Sequence, residues 1–434
     1  MTAGRRPPPV RRLGAAAAAI ALAALAATAG AQAGGGPALR AEAAQLLREL
    51  AALRGTPSGG GPPPIVIRTR EQRRRYVAAE FARKYSPARL EAERRAMVAW
   101  GLLPPEFDLA GFLVDLLAEQ AAAYYDPVAK QMILANWLTP GLQSDALAHE
   151  LVHALQDRTV GLEGFLAVVP GRSDAGLARQ ALVEGEAVAL VLERTLRRQG
   201  RALAAQADVE DLRRAIETSA TGPVLARAPR FVRALLTFPY ARGAGFVHAL
   251  VRDRSWPALP AVYRDPPRST AAILHPARYL AHRDAPETLA VPDLGALLPA
   301  GSRALLEDDL GEFGLGEVLS RGADPAGAAA TAAAWRGDRY ALWDVPGSGA
   351  ALVAVSAWAD EAAATAFLRA YARILPAKHG LGPAASDDDR AAWAAEERGF
   401  ALDRLGSRVL ILEGLPLAAL EAVRTAARRG AVLY

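Results

Sequence analysis

The stretch His149-Glu150-Leu151-Val152-His153 decides the fold prediction, and it lies inside an unbroken segment from Ser144 to Asp157. This segment contains no proline or glycine, and Ser144 at its start is typical of a helix N-cap. Residues four apart on a helix share a face, so the two imidazoles can reach one metal ion. Glu150 then lies within reach of a water on that ion. The opposite face predicts contact with a core: Leu147, Leu151 and Ala154.

Coincidence and a purely structural role both stay open as origins of this histidine pair. The chain has six histidines in 434 residues. A chance match of this kind is therefore expected in about one of two hundred such chains. The pair could also be structural, without a metal. The helical context and the acidic segment downstream favour a metal site over both alternatives.

A zinc site in an enzyme needs a third protein ligand. No histidine follows His153 until His248, so this ligand is a carboxylate or a distant histidine. The segment Ala181-Leu182-Val183-Glu184-Gly185-Glu186-Ala187 offers two carboxylates on a second predicted helix, and Gly185 is expected to let this helix approach the motif helix closely. Two positions correspond to about 200° of helical rotation, so Glu184 and Glu186 cannot bind the same ion. The apolar pattern does not decide between them.

Together, the two segments resemble the gluzincin group of zinc peptidases, especially members whose third ligand is the glutamate of an Asn-Glu-Gly-x-Ala segment. The resemblance covers roughly residues 65–290. The chain is also similar to a set of exported bacterial proteins whose motif helix continues as Ala-Leu-Gln-Asp, as residues 154–157 do here. The resemblance implies a zincin-like fold, Zn²⁺ as the cofactor, and the ligands His149, His153 and Glu184.

Two catalytic roles follow from the same resemblance. Glu150 is implied as the general base. Gluzincin aminopeptidases carry a Tyr-x-x-Gly segment on a later helix, which Tyr240 to Gly243 match, so Tyr240 is implied to support the tetrahedral intermediate. A packing role for Tyr240 stays open. Val183 stands where the family has asparagine, and no signature for binding a substrate amino terminus is present, so aminopeptidase specificity is not implied.

The predicted function is therefore that of a zinc metallopeptidase with a peptide or protein substrate. The alternative is a zinc-binding, non-catalytic envelope protein with a binding or assembly role. A purely structural site has no need of a general base between its histidines, so Glu150 argues against this alternative. A zinc hydrolase acting on other amides would use the same residues, and the sequence does not separate it from a peptidase.

Three further polar residues come into question as members of the site. Asp157 lies one turn beyond His153, where it would orient a ligand histidine, or pair with Arg158, or cap nearby backbone. His248 and His275 are expected to be packing or helix-end residues rather than ligands.

The first 33 residues have the features of a signal peptide. Arginines at positions 5, 6, 11 and 12 precede an uncharged stretch from Leu13 to Ala31, and small residues occupy suitable cleavage positions. A retained membrane anchor is the alternative, but an alanine-rich stretch is weakly apolar for a span. We therefore expect a periplasmic or extracellular protein with no stable membrane span after cleavage.

Charge and cysteine content exclude several classes of partner and ligand. The formal net charge of +5 includes the four leader arginines, which leaves +1 for the remainder. Nucleic acid is therefore not an expected partner. The chain has no cysteine, which excludes disulfides and thiolate ligands. The oligomeric state is left open.

Composition divides the remaining chain into three predicted parts, and the predicted fold class is α+β, mainly helical. Residues 34–64 are rich in Ala, Gly and Pro and predict a linker with one short helical piece. Residues 65–298 predict a zincin-like peptidase domain, in which the strand Gln131–Ala135 is the expected edge for an extended peptide. Residues 299–434 predict a small α+β domain with strands at 339–345 and 351–357, a helix at 360–375, a hairpin at 400–412 and a helix at 417–429.

Overall fold

The structure of the chain is a computed structural model, and it describes residues 36–84, 86–120, 123–136, 140–167, 169–219, 222–281, 285–382, 384–387 and 389–433. Within these residues the fold is α+β and mainly helical, so the predicted class is confirmed. The predicted signal peptide lies outside the described residues. No helix in the described part is both long and apolar enough to cross a membrane.

Most of the chain up to residue 280 is helical. The helices are α1 (Pro37–Arg54), α2 (Arg70–Lys84), α3 (Pro87–Ala99), α4 (Leu109–Gln120), α5 (Pro140–Val160), α6 (Leu162–Phe165), α7 (Ser173–Arg198), α8 (Glu210–Ser219), α9 (Pro223–Ala226), α10 (Arg230–Arg254), α11 (Leu259–Val262), α12 (Thr270–Leu274) and α13 (Pro276–Leu280). Helix α5 contains the histidine motif and begins at Pro140, one turn before the predicted start at Ser144. Proline is tolerated there because the first N–H groups of a helix have no intrahelical partner.

A small three-stranded sheet lies beside α5. It consists of β1 (Ile65–Arg68), β2 (Ala123–Asp126) and β3 (Gln131–Ala135), in the order β1-β3-β2. Strand β3 pairs in parallel with β1 and antiparallel with β2. The prediction that β3 is an edge strand is therefore wrong, because both of its edges are paired. Among the described residues, the edge strand of this sheet next to α5 is β2.

Helix α1 is part of the main helical core. Its apolar residues recur at helical spacing and are buried together with residues of α5 and α7. Arg54, its last residue, is fully buried as well. The predicted linker is therefore limited to residues 55–64, which connect α1 to β1.

Helices α7 and α10 cross in backbone contact. A Cβ on Gly185 would overlap the backbone of Gly243, and a Cβ on Gly243 would overlap the carbonyl oxygen of Ala181. Glycine permits this approach because it has no side chain. The prediction that Gly185 brings α7 close to the motif helix is wrong, since Gly185 faces α10 instead.

A seven-stranded antiparallel sheet forms the C-terminal part. Its strands are β4 (Arg303–Asp308), β5 (Trp335–Val345), β6 (Gly349–Trp358), β7 (Ala385–Ser386), β8 (Arg390–Ala395), β9 (Arg398–Leu405) and β10 (Arg408–Pro416), in the order β4-β5-β6-β10-β9-β8-β7. Its helices are α14 (Gly311–Leu319), α15 (Pro325–Ala332), α16 (Glu361–Ala372), α17 (Leu375–His379) and α18 (Leu417–Leu433). The strands, hairpin and helices predicted here are confirmed, whereas three strands and three helices were not predicted: β4, β7, β8, α14, α15 and α17.

The helical part and this sheet share contacts at the start of α7. Ser173 and Asp174 donate their backbone N–H groups to the carboxylates of Asp308 and Asp309, at 2.9 and 2.8 Å. Nearby, Trp100 packs edge-on against Tyr340 of β5, with ring centroids 5.5 Å apart. The two backbone hydrogen bonds hold the N-terminal end of α7 against the end of β4.

Candidate metal centre

Three side-chain atoms converge between α5 and α7. Nε2 of His149 lies 3.1 Å from Nε2 of His153 and 3.3 Å from Oε2 of Glu184, and the separation between His153 and Glu184 is 3.5 Å. All three residues are buried. Within the described residues, they form a group of metal-binding side chains close enough to share one ion. The histidines are one turn apart, as the sequence predicted, and the carboxylate comes from a second helix.

This triangle has the size that a zinc ion requires. Zinc binds histidine nitrogen and carboxylate oxygen at about 2.0–2.2 Å, so neighbouring ligands of a tetrahedral site lie about 3.3 Å apart. The observed separations of 3.1, 3.3 and 3.5 Å centre on that value. Two imidazoles and one carboxylate also match the donor set of a catalytic zinc site, which keeps its fourth position for water. The residues therefore fit a zinc ion.

The carboxylate of Glu184 dominates the electrostatics of the triangle. Burial disfavours its charged form, but His153 and His149 outweigh this effect and lower the pKa of Glu184. Burial also disfavours the charged form of His153, yet Glu184 prevails and raises the pKa of His153 to about 9. A negative charge is thus stabilised beside two imidazoles, which suits the binding of a cation.

Glu150 lies on the same helix and contacts the small sheet. Its Oε2 accepts a hydrogen bond from the backbone N–H of Tyr125 at 2.6 Å. Burial raises the pKa of Glu150 above its ordinary value, although the two histidines act in the opposite direction. The hydrogen bond holds this carboxylate against the free edge of β2.

Gln156 fixes the orientation of one imidazole. Nδ1 of His153 lies 2.8 Å from Oε1 of Gln156, and the amide Nε2 of Gln156 donates to the backbone oxygen of Val183 and to Glu186, at 2.9 and 2.8 Å. With an N–H on Nδ1, Nε2 of His153 is the nitrogen that faces the triangle and would bind a metal on losing its proton. The sequence analysis missed this role, although the spacing of three residues on a helix places Gln156 beside His153.

Glu186 belongs to a separate buried network. Its Oε1 lies 2.6 Å from Nε of Arg54, and both side chains are fully buried. Its Oε2 accepts hydrogen bonds from Gln156 and from the hydroxyl of Tyr263. Glu184 and Glu186 therefore point in different directions, as helical rotation predicts, and only Glu184 contacts the histidines.

Tyr240 lies next to the triangle. Its buried ring is stacked on that of His149, with centroids 6.3 Å apart and an interplanar angle of 26°. It also packs against Val188 and Ala244, which belong to α7 and α10. The structure thus brings Tyr240 to the site predicted for it, and the same ring contributes to helix packing.

The remaining residues considered from sequence lie outside the triangle. Asp157 does not contact a histidine: it accepts hydrogen bonds from the hydroxyl of Tyr125 at 2.7 Å and from Lys130 at 2.6 Å, and it caps the start of α6. Of the alternatives considered for Asp157, the capping of nearby backbone is confirmed, and the prediction that it orients a ligand is wrong. His248 contacts a backbone carbonyl and His275 a carboxylate, so neither takes part in the site.

Comparison with known protein families finds a match only for the C-terminal part of the chain. Residues 301–424 match a domain of unknown function, DUF8575. No curated protein and no solved structure matches the chain significantly. The matched segment lies within the predicted C-terminal domain and does not include the candidate metal centre.

Proposed function

We propose that the chain is an exported zinc metallopeptidase of the gluzincin type, built on a zincin-like core. The observation that carries this proposal is the convergence of His149, His153 and Glu184, with Glu150 on the same helix as the two histidines. A carboxylate between two metal-binding histidines is the arrangement that hydrolytic zinc sites use. The signal-peptide pattern supports export.

The proposed chemistry assigns one role to each residue. A zinc ion held by His149, His153 and Glu184 would supply a Lewis acid for the scissile carbonyl and would lower the pKa of a water molecule. Glu150 accepts the proton of the attacking water and passes it to the leaving amine nitrogen. Because its Oε2 is held by Tyr125, its Oε1 is the oxygen available for this transfer. The hydroxyl of Tyr240 donates to the carbonyl oxygen as it becomes negative.

The free edge of β2 is the proposed position of an extended substrate. Tyr125 directs its N–H to Glu150 and therefore away from β3. Backbone direction alternates along a strand, so the N–H and C=O groups of Ala123 face the same free edge. A peptide paired with this edge would lie beside Glu150 and extend the sheet by one strand. This replaces β3 as the proposed pairing strand.

The test of this function combines metal analysis with digestion of a peptide library. We expect the wild type and Glu150→Gln both to bind zinc and the variant to cleave at least about a hundredfold more slowly, the usual scale of general-base assistance. Asp145→Asn is the matched control, because Asp145 is an exposed carboxylate on the same helix. It should leave turnover unchanged. Full activity of Glu150→Gln would reject the mechanism.

A non-catalytic zinc protein of the cell envelope is the second candidate. The low exposure of the site favours it: His149, His153 and Glu184 are 3%, 8% and 4% exposed, and Glu150 is 6% exposed. Such low exposure limits the access of a peptide to the metal, whereas a structural metal site needs no access for a substrate. Zinc content without cleavage of any library peptide, unchanged by Glu150→Gln, would favour this candidate over the peptidase.

A further inference from the structure

Gln180 on α7 is a buried amide with unused hydrogen-bonding capacity. The residue is 1% exposed, and neither Oε1 nor Nε2 has a partner within the part of the chain that the structure describes. Buried polar groups are almost always paired by protein, water or ligand, because an unpaired one costs free energy. Gln180 therefore marks a place where a donor and an acceptor of another molecule would be stabilising.

Gln180 lines a cavity of about 170 Å³ between α7, α10, α4 and the C-terminal sheet, which we name the Gln180 cavity. Most of its other walls are apolar side chains: Met97, Leu113, Leu177, Leu236 and Phe313. A dry cavity of about this size holds a benzene-sized molecule. The Gln180 cavity therefore has room for one branched or aromatic side chain.

Four carboxylates line the cavity, and each already accepts a hydrogen bond. Glu93 accepts from Arg89, and Asp309 accepts from the backbone N–H of Asp174. Asp174 accepts hydrogen bonds from the N–H and hydroxyl of Thr270, and Asp308 accepts from the N–H and hydroxyl of Ser173. Gln180 differs from them because both of its polar atoms are unused. It is thus the polar group of this cavity that is best placed to select an occupant.

The cavity lies one helical turn from the candidate metal centre on two helices. On α7, Gly176 and Gln180 line the cavity and Glu184 belongs to the metal triangle. On α10, Leu236 lines the cavity and Tyr240 stacks on a histidine of the triangle. Residues four apart share a helix face, with about 5–6 Å between their Cβ atoms. Each helix therefore presents one continuous face that leads from the metal triangle to the cavity.

We propose that the Gln180 cavity binds a large apolar side chain of the substrate, and that Gln180 pairs with the peptide group of that residue. This inference rests on the proposed peptidase function. A peptide group has one N–H and one C=O, which a carboxamide can match with its own acceptor and donor. Burial of the side chain against carbon-lined walls supplies the affinity. Peptides with Leu or Phe near the scissile bond should be preferred over those with Gly or Asp.

Gly176 allows a precise test of this proposal. A Cβ at Gly176 would meet nothing within 4 Å, so Gly176→Leu adds its Cβ without a clash, places a large apolar side chain at the cavity wall and improves helix propensity. Gly176→Ala is the matched control, since it adds only a methyl group. Gln180→Leu replaces the amide side chain with an apolar one of similar size. Because it removes an unpaired polar group, it should raise Tm.

Two measurements test the Gln180 cavity separately from the catalytic function. The first is binding of N-acetyl-leucinamide to the full mature chain, which needs no turnover. We expect Gly176→Leu and Gln180→Leu to weaken it at least tenfold, and Gly176→Ala less than threefold. The second is kcat/KM over the peptide library, where Gly176→Leu should shift the preference from Leu and Phe towards Ala by at least tenfold, a usual scale for side-chain discrimination in an apolar pocket.

The outcomes distinguish this inference from the function on which it rests. Binding of N-acetyl-leucinamide that depends on Gly176 and Gln180, without cleavage of any peptide, would reject the peptidase and keep the pocket. Cleavage with no preference for apolar residues, unchanged by Gly176→Leu, would overturn the pocket and keep the peptidase. Absence of N-acetyl-leucinamide binding to the wild type would also overturn it, whatever the Tm of Gln180→Leu.

Discussion

Neutralising Glu184 and neutralising Glu186 should have opposite consequences, although only Gly185 separates them on α7. Glu184 contacts the two histidines of the metal triangle. Glu186 compensates the charge of Arg54, and both of these side chains are fully buried. We therefore expect Glu184→Gln to lose the metal while the fold remains, and Glu186→Gln to keep the metal while stability falls.

The magnitudes follow from what each substitution leaves behind. Removing one partner of a buried ion pair costs about 3–5 kcal/mol, because the other charge stays buried. Arg54 keeps its charge at any pH a protein tolerates, so Glu186→Gln should lower the free energy of unfolding by that amount. Its effect on zinc is indirect, through Gln156, and should not exceed the roughly 10–100-fold that the loss of a supporting contact costs. Loss of Glu184 itself should lower the zinc affinity by more than this.

Zinc affinity by chelator competition and unfolding in urea together test this pair. Unfolding is measured with a strong chelator present, so that bound metal does not contribute to stability. Glu184→Gln should then be purified largely zinc-free and lose less stability than Glu186→Gln, because His153, unlike Arg54, can become neutral. Glu186→Gln should bind zinc and unfold at clearly lower urea. If Glu186→Gln is zinc-free and Glu184→Gln retains the metal, the ligand assignment is rejected.

Three further substitutions test other parts of the structure. Tyr240→Phe should lower kcat about 10²-fold with little change in Tm, and a loss of Tm without a change in kcat would make Tyr240 a packing residue. Burial, together with neighbouring carboxylates, raises the pKa of Asp309 to about 9, and burial raises that of Asp174 to about 7. Both lie above the ordinary value of about 3.9, so the stability that these two carboxylates contribute is fully present below about pH 4 and is lost as pH rises to about 9. Asp309→Asn should flatten this decline in a pH series of Tm values, and an unchanged slope would contradict the assignment. Gly185→Ala should lower the free energy of unfolding by about 1–3 kcal/mol in urea, because its Cβ overlaps the backbone of α10, and an unchanged midpoint would show that the helices can separate freely.

Local spacing along the sequence was sufficient for the motif helix and for much of the C-terminal part. His149 and His153 lie on the same helix face because four residues make about one turn in any α-helix. The same argument separated Glu184 from Glu186 by rotation alone. Strands β5 and β6 and the hairpin of β9 and β10 were predictable, because alternating apolar residues and turn signals are local features.

The tertiary structure decided those features that depend on contacts between residues far apart in the sequence. Strand β3 is central because β1, more than sixty residues earlier, pairs with its second edge, and nothing in the strand itself records this. The sequence pattern left Glu184 and Glu186 equivalent in burial, and the packing of α5 and α1 against α7 directs one to the histidines and the other to Arg54. The Gln180 cavity likewise exists only where several helices meet the sheet. These features depend on the free energy of burying and pairing groups from different helices and strands, and no single segment of the sequence contains that information.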